Sequence, residues 1–249
     1  MARVKGTNGI IGTINGVNYY DRKGKPLART AGGGFTAEAI KNSPNMAPVR
    51  KINSEFGHCS TLRSAFSEAL RPFLCELNDG DLPGKLMKRL LEIKDLDFVN
   101  AKGQRQVAEG MQTQRGKYLL KEFVFTPKCR GRNHLGGTWR FDADRDVMVL
   151  EAYELDPKQF PKGATHLCLQ VGRLHFDFAT LEHHLVLSEP LLISPEDAQD
   201  PLEFPLERPK VSGMELLVLR LRFYQCFPGE QYPLSGERSK GVEVLGIEG

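Results

Sequence analysis

Between Val49 and Phe73 the positions Val49, Ile52, Phe56, Cys59, Leu62, Phe66, Leu70 and Phe73 recur at steps of three and four, and only Arg63 interrupts the stripe. This is the period of a helix that buries one face. Pro48 suits the first turn, where a missing N–H costs nothing, and Asn45 is placed to cap it. Pro72 marks a stop or a kink at the far end. A rod of about 25 residues spans roughly 37 Å, the width of a small domain, so the flanking chain is expected to pack on it. Leu82, Leu86, Leu90 and Ile93, with Lys85, Lys88, Arg89 and Glu92 between them, predict a second amphipathic helix over 82–94. A third, weaker helical stretch runs from Lys102 to Tyr118; Val107 and Met111 favour it, and Gly103, Gly110 and Gly116 weigh against it. Thr36 to Lys41 reads as a short helix stopped by Asn42-Ser43-Pro44. The helices are expected to form a small bundle over residues 35–120.

On either side the period changes to two. Ile10–Ile14 and Val17–Tyr20 flank Asn15-Gly16, the pair that best tolerates the two positive φ angles of a tight hairpin. A second turn at Lys23-Gly24-Lys25-Pro26 returns the chain through Leu27–Thr30. The result is a three-stranded meander, behind a basic arm over residues 1–8. It has too few large apolar residues to make a core alone. Gly32-Gly33-Gly34 then reads as a hinge closing a first segment, 1–34. A phosphate-cradling loop would need a following Gly-Lys-Ser/Thr, which is absent.

From Glu122 the chain is strand-like. Phe123–Phe125, Trp139–Phe141, Val147–Leu155, Thr165–Phe178, His183–Ile193, Leu202–Leu206, Met214–Tyr224 and Val242–Ile247 are separated by Pro- and Gly-rich turns. In the seventh, Leu217, Leu219, Leu221 and Phe223 face one way while Arg220, Arg222 and Tyr224 face the other. Pro190, Pro205 and Pro209 suggest edges or breaks. The expectation is an α+β chain: an N-terminal β-meander and small helical bundle, followed over 121–249 by an antiparallel β-sandwich of Ig-like architecture.

Charge adds an asymmetry. The net +3 conceals 24 Lys/Arg against 12 Asp/Glu in residues 1–140, and 10 against 19 in residues 141–249. Opposite signs within one chain favour head-to-tail attraction between copies, or a basic half facing an acidic partner. Cys59, Cys75, Cys129, Cys168 and Cys226 are widely spaced and odd in number, as expected of free thiols. No secretory h-region opens the chain, which implies cytoplasmic synthesis and leaves the final location open. No apolar run approaches the roughly 18 residues of a membrane span.

Candidate chemistry is sparse. His166 with Cys168, and His175 with Asp177, share strand faces but offer only two ligands each, too few for zinc. His183-His184 point to opposite faces. Cys59 follows His58, yet it lies on the apolar stripe and reads as an inert thiol. No Gly-x-Ser-x-Gly elbow occurs. The expectation is a non-enzyme with no catalytic residue, cofactor or metal.

Several stretches together resemble a family of bacterial proteins with no activity assigned. Its members have an N-terminal Gly-rich hairpin, a helix bearing Ser-Glu-Phe-Gly and a C-terminal β-domain. The matching pieces are Gly12-Thr13-Ile14, Tyr19-Tyr20, Arg29, Gly32-Gly33, Ser54-Glu55-Phe56-Gly57, Ala69-Leu70-Arg71-Pro72 and Asn100-Ala101-Lys102-Gly103-Gln104-Arg105. Arg222-Phe223-Tyr224-Gln225 and Gly229-Glu230-Gln231-Tyr232-Pro233-Leu234 complete the set. The resemblance implies one fold from residue 9 onward and carries no site residues.

Two functions follow. The first is a structural subunit that self-assembles into a tube, sheath or fibre. Its expected contacts are Ile10, Ile11, Ile14, Val17, Tyr19, Tyr20, Leu27 and Arg29, swung by Gly32, Gly33 and Gly34. The second is nucleic-acid binding by Arg22, Lys23, Lys25, Lys128, Arg130 and Arg132, beside the two tyrosines.

Overall fold

In the computed structural model, residues 3–4, 10–22, 24–32, 36–77, 79–196, 201–208 and 212–248 are described. They form helices and antiparallel sheets, an α+β architecture, and divide into two compact units, Met1–Ser54 and Glu55–Gly249.

The larger unit is built on two long strands, β7 (His166–Phe176) and β11 (Met214–Phe227), paired antiparallel from Met214↔Phe176 to Tyr224↔His166. β8 (His183–Leu187) and β9 (Leu191–Ile193) extend β7. β12 (Glu230–Pro233) and β13 (Lys240–Glu248) extend β11, making a six-stranded sheet. A second sheet has three strands, β5 (Thr138–Asp142), β6 (Val147–Glu151) and β10 (Leu202–Pro205), with β6 in the middle.

Alternation gives β11 two faces. Leu217, Leu219, Leu221 and Phe223 join Leu167, Leu169 and Val171 of β7 and pack with Met148, Leu150, Leu202 and Phe204 of the three-stranded sheet. At the end of that interface Arg173 donates to Asp146 (2.7 Å) and Glu215 (2.8 Å), its guanidinium 4.8 Å from the Phe141 ring centre. On the other face Met214, Leu216 and Val218 meet the helices. These are α2 (Ala47–Ala69), α3 (Arg71–Leu74), α4 (Leu82–Lys94), α5 (Val107–Met111) and α6 (Gln114–Lys121), followed in the chain by the short α7 (Gly131–His134). The core on this face draws Cys59, Leu62, Phe66 and Leu90 from the helices and Val242 and Val244 from β13. An immunoglobulin-like sandwich turns polar residues outward from both sheets. Here helices cover one outer face, so the helical stretch and the strands share one core.

Other expectations shift for physical reasons. The buried stripe of α2 begins at Glu55 and continues through Cys59, Leu62, Phe66 and Ala69; Ile52 and Phe56 are half exposed. Phe123–Phe125 forms no strand. Its phenylalanines instead turn inward as a T-shaped pair 4.8 Å apart, which buries them without a ladder partner. The stretch 102–118 contains the helices α5 and α6; Gly103 precedes them with φ +104°, and Gly110 and Gly116 are packing contacts. A Cβ on Gly110 would lie 2.0 Å from the Ile93 carbonyl oxygen, and one on Gly116 2.1 Å from that of Gly110. Gly172 likewise leaves room on β7 for the Phe73 ring.

The smaller unit begins with a four-stranded antiparallel sheet: β1 (Arg3–Val4), β2 (Ile10–Ile14), β3 (Val17–Arg22) and β4 (Lys25–Thr30), in that order. The expected meander thus gains a strand from the basic arm, with Arg3 opposite Ile11. α1 (Ala37–Asn42) follows, capped by the Thr36 hydroxyl. Arg50 Nη1 ties it to the start of α2 by donating to the Ile40 and Ser43 carbonyls at 2.7 and 2.9 Å.

Candidate assembly interface

The β2–β3 hairpin closes as its sequence dictates: Asn15 (φ +46°) and Gly16 (φ +77°) both take positive φ, and Ile14 faces Val17. The next turn uses Gly24 (φ +78°), whose N–H donates to Asp21 Oδ1 at 2.8 Å. Registers Gly12↔Tyr19↔Ala28 and Tyr20↔Leu27 place Ile14, Val17 and Tyr19 on one face, and Tyr20, Leu27 and Arg29 on the other with Arg22 and Lys25. Neither face is filled. No described side chain of β2, β3 or β4 is buried. Ile10 is 43% exposed, Leu27 40%, and Ile14, Tyr19 and Tyr20 nearly as much, while Ile11 and Val17 are half-buried. Among the described residues Arg29 reaches the Tyr20 ring, its guanidinium 5.7 Å from the centre. β4 carries Pro26 and, among the described residues, pairs on one side alone, an open edge.

Of the expected hinge, Gly32 takes φ +98°; Gly33 and Gly34 lie outside the described residues. Of the expected basic patch, Arg22 and Lys25 face each other at the β3–β4 turn, and Lys23 lies outside the described residues. Lys128 and Arg130 belong to the other unit. Lys128 is ion-paired to Glu237 at the surface and Arg130 is half-buried; the side chain of Arg132 lies outside the described residues.

The larger unit contributes what the sequence did not reveal. Phe98 and Val99 are 86% and 80% exposed, on a loop that is tightly held. Asp97 is buried and its carboxylate accepts from Val99 N–H, Asn100 N–H, Asn100 Nδ2 and Gln106 N–H, all at 2.8–2.9 Å. Burial alone would raise this carboxyl; those hydrogen bonds outweigh it and bring it down to about 2. The loop is also fastened to α2. Glu55, 4% exposed, accepts from Lys94 Nζ (2.6 Å), Gly103 N–H (2.6 Å) and both Nε and Nη2 of Arg105 (3.0 and 3.2 Å). Asp95 completes the cluster against Lys94 and Arg105. Desolvation of Glu55 is again outweighed, by the Arg105, Lys94 and Gly103 bonds, and its carboxyl falls to about 2. Two motifs far apart in the chain, Ser54-Glu55-Phe56-Gly57 and Asn100 to Arg105, meet in this cluster. Periodicity marks Glu55 only as an acidic residue four before Cys59; both motifs stand out in the sequence only through the family resemblance.

Cys59 is fully buried, which pushes its thiol up to about 11, and burial pushes Cys129 up to about 12 beside His134 Nε2 (3.9 Å). All five cysteines are free. His175 bonds Glu215 at 2.8 Å. Among the described residues no three His, Cys, Asp or Glu side chains converge on a metal position, and no helix is long and apolar enough to cross a membrane. No family model, curated protein or solved structure matches the chain.

Proposed function

We propose that this protein is a non-enzymatic structural subunit that self-assembles into a tube, sheath or fibre through its N-terminal sheet and its oppositely charged halves. One observation carries the reading: a four-stranded sheet in which no described side chain is buried. Burying an apolar side chain is worth about 1.5–3 kcal/mol, and a sheet with two unfilled faces forgoes that gain on both. A surface on another copy supplies it, and the open β4 edge offers main-chain groups to the same copy. Contacts of one patch against a different patch propagate into rings or filaments. The packing of the six- and three-stranded sheets through Leu217, Leu219, Leu221 and Phe223 supports reading that part of the body as a sandwich, the rigid portion of the subunit.

Negative-stain microscopy and sedimentation of the full chain, at low and high salt, test the proposal. Regular tubes, rings or fibres are expected, loosened by salt where the opposite charges hold them. A chain starting at Thr36 keeps both cores of the body and should sediment as a monomer. Dispersed particles from the full chain in both salts, or assembly by the shortened chain, would sink the proposal. The Phe98 and Val99 pair offers a second contact. Replacing both by serine is expected to weaken association by at least about tenfold while leaving thermal unfolding of the body unchanged.

A further inference from the structure

The helices cover only part of the even-numbered face of β11. Past Val218 the same face continues as Arg220, Arg222 and Tyr224, with Gln170 and Cys168 of β7 opposite the two arginines. Here the surface opens into a cavity of about 320 Å³, walled by Arg220, Arg222, Tyr224, Gln170, Gln231 and Cys168 among others, with no carboxylate among the described residues of its wall. The arginines are mostly buried, at 24% and 16% side-chain exposure. They share one counter-charge: Glu76 Oε2 accepts from Arg220 Nη2 at 2.8 Å and from Arg222 Nη1 at 2.7 Å. Lys240 adds a third cation, donating to the Glu76 carbonyl at 3.0 Å. One carboxylate therefore faces three cations. Arg222 Nε is buried and has no hydrogen-bond partner among the described residues. Buried guanidinium groups ordinarily have their donors met.

We propose that this cavity binds a small ligand through an oxyanion, a carboxylate or a phosphate monoester. The planar forks of Arg220 and Arg222 grip the anion, Gln170 steadies Arg220 by accepting from its Nη1 at 3.4 Å, and the Tyr224 hydroxyl and the Gln231 amide contact the rest of the molecule. Burial raises the Tyr224 hydroxyl above its ordinary value, so it stays protonated and able to donate. Glu76 holds the two guanidinium groups together before the ligand arrives and competes with it.

Titration calorimetry of the full chain, with inorganic phosphate and separately with succinate, tests this site. Saturable binding of either is expected, and which one binds separates the phosphate source from the carboxylate source. Arg222→Gln should weaken it at least about tenfold. Glu76→Gln removes the competitor and should tighten it several-fold, the opposite of what a purely structural ion pair would do. Arg220→Lys keeps the charge, loses the fork and should weaken binding even if Arg222→Gln fails to fold. Absence of saturable binding by both the natural chain and Glu76→Gln, or equal binding by the natural chain and the arginine variants, would overturn the proposal.

Discussion

Replacing Glu55 by alanine should cost the fold about 3–5 kcal/mol, read as a lower urea midpoint at neutral pH with an unchanged slope. The loss comes less from the ion pair itself than from what it leaves behind. Lys94, 5% exposed, would keep only Asp95, and the Gly103 N–H and the Arg105 fork would lose their acceptor. Glu55→Gln retains the volume and one acceptor and should cost less. The same carboxyl sets an acid limit. Its folded pKa, about 2, lies below the ordinary 4.5, so its contribution is complete above about pH 4.5 and disappears as the pH falls towards 2. Asp97, brought from 3.8 to about 2, loses its contribution over nearly the same range. A difference of about two and a half units corresponds to roughly 3 kcal/mol for Glu55 alone. The melting temperature should therefore fall steeply below about pH 4.5, and less steeply in Glu55→Gln. Equal slopes in the two proteins would mean that the cluster does not carry the acid sensitivity.

Gly110→Ala is expected to be nearly as damaging, with a loss of about 3 kcal/mol or more. The added methyl would sit 2.0 Å from a backbone oxygen of α4, which cannot rotate away as a side chain could. α5 must then move off α4 and carry α6 with it, because Gly116 rests in turn on the Gly110 carbonyl. In an exposed helix the same change would stabilise by up to about 1 kcal/mol, through propensity. The sign of the measured change in unfolding free energy decides between close packing and mere helix weakening.

That contrast shows where the sequence was legible. Helix 82–94, the Asn15-Gly16 turn and most strands of the second half follow from short-range periodicity, and they form with little change. Long-range packing leaves no such trace. Gly110 and Gly116 lower helix propensity in isolation, and only the approach of a neighbouring backbone gives them a role. Glu55 falls outside the apolar stripe read from the sequence, and its role stays hidden because its partners stand 39 to 50 positions away. β12 carries no apolar alternation and escaped notice, while its ladder with β11 holds it in place. In the N-terminal sheet three of the four strands were readable, but the lack of buried side chains emerges only from exposure. Alternation sets Arg220, Arg222 and Tyr224 on one face of their strand, but nothing in it marks a pocket or the end of the helical cover there.

The distance along the chain between the helices and β11 also constrains how the protein is made. The helical core built from residues such as Cys59, Phe66 and Leu90 needs Leu216, Val218, Val242 and Val244 to close it. Synthesis runs from the N-terminus at about 5–20 residues per second, so the helices wait many seconds for the strand that covers them. During that interval their apolar faces are open to chaperones and to neighbouring nascent chains on the same message. A product terminated before Met214 never acquires its central strand, and proteolysis should remove it rapidly, whereas loss of the N-terminal sheet leaves the body's own closure intact.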